Sequence, residues 1–330
     1  MKRVALGFAG NLSIQEMLPH VKTAEEKGYE SIWMAEDHFL RDGISPLTAF
    51  AAATERIKLA TGIICPYTRH AVTVAMSIAT VDEYSNGRAI LGLGSSVREM
   101  LEDRMGVRYD KHLARMREYV DVIRRLFAGE TVTYQGKTVN IRNVQLGFRP
   151  NRDRISVYVG GTGPRMLELA GEIGDGVFLN AFCSPQYTKF ALEQIEKGAE
   201  RSGRSLKDLD ISAYIVFSAD HDAKRAKEAP RKLLALYFSY ANVAGPLLQH
   251  SGLASELQHA TTIRDAVAKG DLDGASRILR DSTVETVTAS GTPDECRARL
   301  REYVDAGAKL PVILSVGPDL ELAVETAARF

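Results

Sequence analysis

Short apolar runs rich in valine and isoleucine alternate with longer amphipathic stretches along almost the whole chain. The short runs are typical of strands and the amphipathic stretches of helices. Strands that alternate with helices pair in parallel through right-handed crossovers, so the pattern predicts an α/β fold. The predicted strands cover residues 4–8, 31–35, 57–64, 89–93, 156–159, 177–179, 211–217 and 312–316.

A predicted helix accompanies each strand, which gives eight strand–helix units. Eight units can close a (β/α)8 TIM barrel, with an open doubly wound sheet as the alternative. The units are nearly equal and leave no obvious break for a second domain, so we expect a single barrel domain over residues 1–330. The predicted helices cover residues 13–27, 46–54, 72–84, 111–127, 164–172, 185–201, 223–240 and 293–306, with a last helix from residue 320.

Two segments interrupt this alternation. Near residues 131–149, two strand-like runs flank Gln135-Gly136-Lys137, which predicts a β-hairpin insertion. Residues 245–290 have an irregular helical pattern and are expected to form a second, helical insertion.

Charge and cysteine content narrow the partners and the compartment. The 42 basic residues balance the 42 acidic ones, so no electrostatic argument favours nucleic acid or a membrane surface. The three cysteines are far apart and have no metal-ligand spacing, which indicates reduced thiols and no metal site. We see no signal peptide and no apolar span of ~20 residues, so we expect a cytoplasmic protein that acts on a small molecule.

In a barrel, chemistry occurs in the loops that follow the strands. Strand 2 runs into Glu36-Asp37-His38, and three ionisable groups in one loop predict an acid–base or ligand-orienting cluster. The alternative is a solvated loop in which the histidine binds a neighbouring carboxylate.

The loops after strands 3 and 4 are built from small residues. Gly62 near the end of strand 3 indicates a bulge or the close approach of a ligand. The run Gly92-Leu93-Gly94-Ser95-Ser96-Val97 begins like a dinucleotide fingerprint but has Val97 at the third glycine position. We therefore expect a shelf for a flat ligand there and no Rossmann site.

Strand 5 ends in Gly160-Gly161-Thr162-Gly163, followed by a helix that begins near Pro164. Glycines ahead of a helix direct backbone N–H groups outward in front of the positive end of the helix dipole. This predicts an anion cradle, to which Arg165 adds a full charge. The alternative is a tight turn that needs glycine for its backbone angles.

Taken together and in this order, the motifs resemble those of the luciferase-like superfamily of flavin and deazaflavin oxidoreductases, over nearly the whole chain. The likeness is strongest to its branch of methylenetetrahydromethanopterin reductases that use coenzyme F420. No single motif is specific, but the set is. The motifs are Trp33, Asp37-His38, Gly62-Ile63, Pro66-Tyr67, Arg69, Thr80-Val81-Asp82-Glu83, Ser85-Asn86-Gly87-Arg88, Gly92-Leu93-Gly94, Gly163-Pro164, Ala170-Gly171-Glu172, Asp175-Gly176 and Gly291-Thr292-Pro293-Asp294-Glu295.

The resemblance implies roles for individual residues. His38 or Glu36 would handle a substrate proton, and Asp37 would lie beside the cofactor ring. Gly62 and Ile63 would form a bulge with a cis peptide bond. The implied contacts to the ring edge and ribityl chain fall on Cys65, Ser95 and Ser96, and the implied phosphate-binding turn comprises Gly161, Thr162, Gly163, Arg165 and Met166.

The chain departs from the reductases at three places. Gly7 stands where the reductases have an acidic residue, Ser95-Ser96 replaces Pro-Gly, and the loop at Glu36 is one residue longer. The substrate therefore stays open between a methylenetetrahydromethanopterin-like compound and an alcohol or carbonyl compound. We expect hydride transfer between coenzyme F420 and that substrate by a homodimer or larger homo-oligomer. The alternative is an FMN-dependent luciferase-like monooxygenase.

Overall fold

A computed structural model of the protein describes residues 3–37 and 39–330. Within these residues the chain alternates strands and helices from end to end. The strands are β1 (Ala5–Phe8), β2 (Ser31–Met34), β3 (Lys58–Thr61), β4 (Ala89–Leu93), β5 (Val132–Gln135), β6 (Asn140–Val144), β7 (Ser156–Gly161), β8 (Gly176–Leu179), β9 (Asp210–Ala219), β10 (Ala289–Gly291) and β11 (Leu310–Ser315).

Parallel strands of the described chain close into a barrel. They follow the order β1–β2–β3–β4–β7–β8–β9–β11, and β11 pairs with β1 to close the ring. This confirms the predicted (β/α)8 barrel and excludes the open sheet. Strands β5 and β6 pair antiparallel in a separate two-stranded sheet, which confirms the hairpin predicted near residues 131–149.

Helices connect the barrel strands and cover the outside of the barrel. No helix in the described ranges is long and apolar enough to cross a membrane. The helices are α1 (Ile14–Glu26), α2 (Ser45–Ala53), α3 (Ala71–Tyr84), α4 (His112–Phe127), α5 (Pro164–Ile173), α6 (Pro185–Arg201), α7 (Ala223–Glu228), α8 (Arg231–Ser239), α9 (Ala241–His250), α10 (Leu257–Ala268), α11 (Leu272–Ile278), α12 (Asp281–Val287), α13 (Pro293–Asp305) and α14 (Leu320–Ala328).

Three local features differ from the sequence prediction. The helix predicted over residues 223–240 is two helices, α7 and α8, which meet at Pro230, because proline lacks the N–H that a helix interior needs. The helical insertion gives way at its end to β10, which pairs with β9. Residues Glu99–Arg104, for which no helix was predicted, form a π-helix.

Four aromatic side chains lie inside the barrel. The Trp33 ring stacks on Phe178 with 4.5 Å between ring centroids, although their strands β2 and β8 are not neighbours. Tyr158 lies 5.2 Å from Trp33, and Tyr214 lies 5.2 Å from Phe178. Rings from non-adjacent strands can meet only in the interior, so these side chains form the core of the barrel.

Glycines opposite these rings provide the space that the rings need. A Cβ atom at Gly7 would lie 2.4 Å from the Tyr214 ring, and one at Gly176 would lie 2.4 Å from the Tyr158 ring. Real Cβ contacts are never that short. Large side chains on β7 and β9 therefore depend on small residues on β8 and β1.

Candidate active site

The predicted site residues meet at one face of the barrel. Residues 36–37 follow β2, residues 62–65 follow β3, residues 95–96 follow β4, and residues 161–166 span the end of β7 and the start of α5. The carboxyl ends of parallel barrel strands share one face, so the fold brings these loops together. His38 lies outside the described residues.

Glu36, in the loop after β2, is held in place by Arg69. The Nε and Nη2 atoms of Arg69 both donate to Oε1 of Glu36, the first at 2.7 Å, and the carboxylate raises the pKa of the guanidinium. Tyr119 in turn donates to the Arg69 carbonyl at 2.9 Å. The second carboxylate oxygen, Oε2, is buried and has no hydrogen-bond partner in the described part of the chain. Arg69 therefore orients Glu36 and leaves Oε2 as the oxygen that a ligand can meet.

Asp37 is buried and lies within electrostatic reach of three tyrosines that the sequence did not reveal. Burial raises the pKa of its carboxyl to about 6. Burial also raises the pKa of Tyr214 on β9, of Tyr237 on α8 and of Tyr240 after α8, and the Asp37 charge contributes in each case. Phenol groups from the barrel interior and from the end of α8 thus share a buried region with the Asp37 carboxyl.

Replacing Asp37 by asparagine should raise the free energy of unfolding, and the gain should grow with pH. The buried carboxyl keeps its proton up to about pH 6, whereas in an unfolded chain it ionises near pH 4. The unfolded state therefore loses its proton first as pH rises. Over the whole titration range this lowers native stability by roughly 3 kcal/mol, of which roughly 2 kcal/mol is lost above about pH 4.

Urea unfolding of the parent and of Asp37→Asn checks this. The gain at about pH 7.5 should exceed the gain at about pH 4 by roughly 2 kcal/mol. Asp153→Asn, at a carboxyl whose side chain is 70% exposed, is the matched control. Equal gains for Asp37→Asn at both pH values would contradict the burial of Asp37.

The loops after β3 and β4 pack against one another at the place where a shelf for a flat ligand was predicted. The peptide bond between Gly62 and Ile63 is cis, as the family resemblance implies. A Cβ atom at Gly94 would lie 2.5 Å from the Ile63 side chain, and one at Gly92 would lie 2.1 Å from the carbonyl oxygen of Thr61. Glycine is therefore required at both positions, because β3 and the loop after it lie directly against the backbone of β4 and of its loop.

Aromatic side chains connect this shelf to the β7 turn. Tyr109 contacts one of the predicted residues, because its hydroxyl donates to Oγ of Ser95 at 3.3 Å. Its ring stacks on His112 at the start of α4 with 5.7 Å between centroids. Burial lowers the pKa of His112, and the charges of Arg165 and Arg98 lower it further. The loop before α4 and the first turn of α5 thus face one another in a region of positive charge.

The structure also shows the surroundings or backbone conformation of two other predicted residues, Cys65 and Ser96. Cys65 is buried, and burial raises the pKa of its thiol, so the sulfur is a neutral packing group beside the shelf. Ser96 has a left-handed backbone with φ of 59°. In the described residues, no group of three or more histidine, cysteine, aspartate or glutamate side chains is placed to hold a metal ion.

The turn after β7 has the predicted form of a helix start. Gly163 is the N-cap of α5 and Pro164 is its first residue, with no side-chain cap. Nothing lies within 4 Å of the position a Cβ would take at Gly163. The Tyr187 hydroxyl donates to the Thr162 carbonyl at 2.5 Å and fixes the turn from α6. An anion can therefore approach this uncapped helix start, where the helix dipole favours negative charge.

The two side chains that follow Pro164 have different surroundings. Arg165 is exposed, so its guanidinium can reach an anion in front of the helix. Met166 is buried against Gly161, where a Cβ atom would lie 2.4 Å from its Cγ. The Met166 N–H donates to the Gly163 carbonyl at 3.1 Å. Met166 therefore shapes the turn, and Arg165 supplies its charge.

Sequence reasoning missed Tyr109, His112 and the tyrosines around Asp37. Tyr109 and His112 precede and begin a helix, and Tyr214 lies in the middle of an apolar strand. Tyr109 lies in the connection from β4 to α4 but only after the π-helix, and the others lie in a strand or at a helix, so none belongs to the few residues directly after a barrel strand. A polar aromatic inside an otherwise apolar strand was the one available signal for Tyr214.

Comparison with known proteins gives consistent matches. The model of the luciferase-like monooxygenase family matches residues 4–310. The 5,10-methylenetetrahydromethanopterin reductase of Methanolobus tindarius is 37% identical over 324 residues, which cover 98% of this chain and 97% of that protein. An F420-dependent glucose-6-phosphate dehydrogenase of Beutenbergia cavernae is 31% identical, covering 89% of this chain and 85% of that protein.

A solved structure matches at the level of the whole fold. It is the coenzyme F420-dependent tetrahydromethanopterin reductase of Methanopyrus kandleri, with a TM-score of 0.89 and 30% sequence identity. The match covers 99% of this chain and 97% of that one.

Proposed function

The chain belongs to the luciferase-like monooxygenase family, and from that premise we propose that it is an oxidoreductase that transfers a hydride between coenzyme F420 and an organic substrate. Support comes from relatives that differ in substrate but share this cofactor in their names, namely a tetrahydromethanopterin reductase and a glucose-6-phosphate dehydrogenase. The observation that carries the proposal is the open, uncapped turn at Gly163, with Arg165 beside it and the glycine shelf next to it.

The described residues fit a deazaflavin cofactor. The shelf of Ile63 over Gly94 is flat enough for a ring system, because a side chain at Gly94 would collide with Ile63. Ile63 and Cys65 would support the ring, and Ser95 and Ser96 would bind the ribityl hydroxyls. The turn of Gly161, Thr162 and Gly163 with Arg165 would bind the phosphate, because helix N-termini favour anions.

When bound, the deazaflavin ring supplies or accepts a hydride at the carbon that replaces N5 of a flavin. The protein then has to orient the substrate and handle its proton. Arg69 fixes Oε1 of Glu36, and the unpartnered Oε2 or the imidazole of His38 would hold the substrate proton. The buried aromatic core below the site would exclude water from the reacting atoms.

Two substrate classes fit this site. Similarity over 98% of the chain to a methylenetetrahydromethanopterin reductase supports a pterin-like compound. An alcohol or carbonyl compound is the second candidate, because Gly7 provides no acidic group and Tyr214 fills the space beside it.

The decisive experiment is a direct comparison of cofactors. We expect the purified protein to bind coenzyme F420 and to bind FMN much more weakly, as measured by separate fluorescence titrations. Reduced F420 should be oxidised when methylenetetrahydromethanopterin or a ketone is added, at the same rate with and without air. Binding of FMN alone, with oxygen consumption, would instead establish the monooxygenase.

Arg165→Ala should weaken F420 binding by about 10–10²-fold, because a charge-assisted hydrogen bond to the phosphate is lost. The deazaflavin riboside, which lacks the phosphate, should bind the parent and the variant equally. Arg149→Ala, at a side chain that is 84% exposed, is the matched control. Equal losses for F420 and the riboside would contradict a phosphate at this turn.

The single-domain protein would also assemble with a second copy of itself. Helix α2 carries no charged residue, and α3 carries only Asp82, which is buried, and Glu83. The α3 side chains Met76 and Tyr84 are 48% and 56% exposed. Interface cores are depleted of charge, and a face whose one exposed charge on these two helices is Glu83 can meet its own copy around a two-fold axis. Light scattering of the protein in solution should therefore give at least twice the mass of one chain. Met76→Glu should lower this mass, because it places a charge in the interface.

The compartment we propose is the cytoplasm. The three cysteines, Cys65, Cys183 and Cys296, are free and buried. Unpaired thiols are ordinary in a reducing compartment.

A further inference from the structure

The Tyr214 side chain lies inside the barrel, in space left free by a glycine on another strand. The residue lies on β9 and is 5% exposed. Its ring fills the space above Gly7 of β1, where a Cβ atom would lie 2.4 Å from Cε2 and 3.2 Å from the hydroxyl oxygen. The ring also packs on Phe178, with 5.2 Å between centroids. The side chain is therefore fixed by the core on two sides.

The hydroxyl of Tyr214 is buried without a hydrogen bond. No donor or acceptor in the described residues pairs with its oxygen. Buried polar groups are nearly always paired, because an unpaired one loses its bonds to water and gains nothing in return. A buried hydroxyl on a rigid ring next to a candidate active site therefore points to a partner that arrives with a ligand.

The surroundings of this hydroxyl indicate which ligand that is. The residues proposed to hold the cofactor follow β3, β4 and β7, on one side of the barrel mouth. Tyr214 comes from β9 and Tyr237 from α8, on the other side, and both are within electrostatic reach of Asp37. Burial and this carboxyl raise the pKa of Tyr214, so the phenol keeps its proton and acts as a donor. Phe178, on which the Tyr214 ring packs, also lies 3.3 Å from the position that a Cβ would take at Gly62 on the cofactor side, so Tyr214 borders the place where a substrate would meet the cofactor.

We infer that the Tyr214 hydroxyl is a substrate-binding group that donates a hydrogen bond to the heteroatom next to the substrate carbon that exchanges the hydride. The inference rests on the hydride-transfer function proposed above. Gly7 supports this role indirectly, because a larger residue at position 7 would leave no room for the Tyr214 ring. The hydroxyl would thus favour substrates with an oxygen or nitrogen at that position over analogues without one.

Tyr214→Phe tests this, since it removes the hydroxyl and keeps the ring that packs on Phe178. With methylenetetrahydromethanopterin or acetone and reduced F420, kcat/KM should fall about 10²-fold. The dissociation constant of F420 should not change. The urea midpoint of the cofactor-free protein should stay the same or rise, because an unpaired buried hydroxyl is lost.

Each other outcome overturns the inference. Parental kcat/KM in Tyr214→Phe would show that the hydroxyl does not touch the substrate, and a lower urea midpoint would show that it has a structural partner. Failure of the proposed function would appear differently, as absence of F420 binding by the parent protein. The unfolding measurement needs neither cofactor nor substrate, so its result does not depend on the proposed function. Tyr303→Phe, at a buried tyrosine of α13 outside the site, is the matched control for kinetics.

Gly7→Ala provides an independent second variant. Its methyl group would displace the Tyr214 ring while the hydroxyl remains in the protein. We expect kcat/KM to fall at least as far as in Tyr214→Phe, with F420 binding retained. Parental kcat/KM in a folded Gly7→Ala protein would contradict the need for a fixed hydroxyl.

Discussion

Replacing His38 by alanine should lower turnover about 10²–10⁴-fold, which is the usual contribution of a general acid or base. F420 affinity should change little, because the shelf and the turn at Gly163 lie on other strands. Stopped-flow oxidation of bound reduced cofactor measures turnover, and fluorescence titration measures affinity. His20→Ala, on the outer helix α1, is the matched control.

The opposite result would reassign the proton to Glu36. If His38→Ala impairs F420 binding but not the rate per bound cofactor, the histidine supports the ring and Glu36 is the acid–base group. Arg69 already occupies Oε1 of Glu36, so the proton would move through Oε2. Glu36→Gln would then lower the rate by the factor expected for His38→Ala, which makes the two variants a direct comparison.

The barrel itself could be predicted because each strand–helix unit is encoded locally. Apolar runs such as residues 89–93 become strands that are buried along their whole length. Features that depend on a single residue, or on contacts with residues far along the chain, were harder to predict. The break at Pro230 was visible in the sequence but was read as a helix interior, and β10 is only three residues long. Its pairing with β9 is a tertiary event that no local pattern contains.

The candidate site was predictable only where it lies next to strand ends. Glu36, Gly62, Ser95 and Gly163 follow barrel strands directly, and the topology alone brings them together. The Glu36–Arg69 pair joins two loops 33 residues apart, and Tyr214 packs on Phe178 inside the barrel. Such contacts depend on which way a side chain points in the closed barrel, and this direction follows from register rather than composition.

The largest stability effect should come from Gly198→Ala, which should lower the free energy of unfolding by about 3 kcal/mol. A Cβ atom at Gly198 of α6 would lie 1.7 Å from the carbonyl oxygen of Glu168 of α5. A Cβ atom at Gly171 of α5 would lie 2.0 Å from the carbonyl oxygen of Ile195 of α6. The two helices therefore cross with their backbones in contact, and any side chain at the crossing has to push them apart.

The sign of this effect is set by two opposing terms. Alanine is favoured over glycine in a helix by about 1 kcal/mol, so without the close contact Gly198→Ala would stabilise the protein. Thr262→Ala isolates the helix-propensity term, because Thr262 is exposed in the middle of α10, and it should raise the free energy of unfolding. Urea unfolding with unchanged m-values gives both free-energy changes. If Gly198→Ala were as stable as Thr262→Ala, the helices would not touch. If it is destabilised, F420 binding should weaken as well, because α5 begins at Gly163 and its displacement moves the phosphate turn.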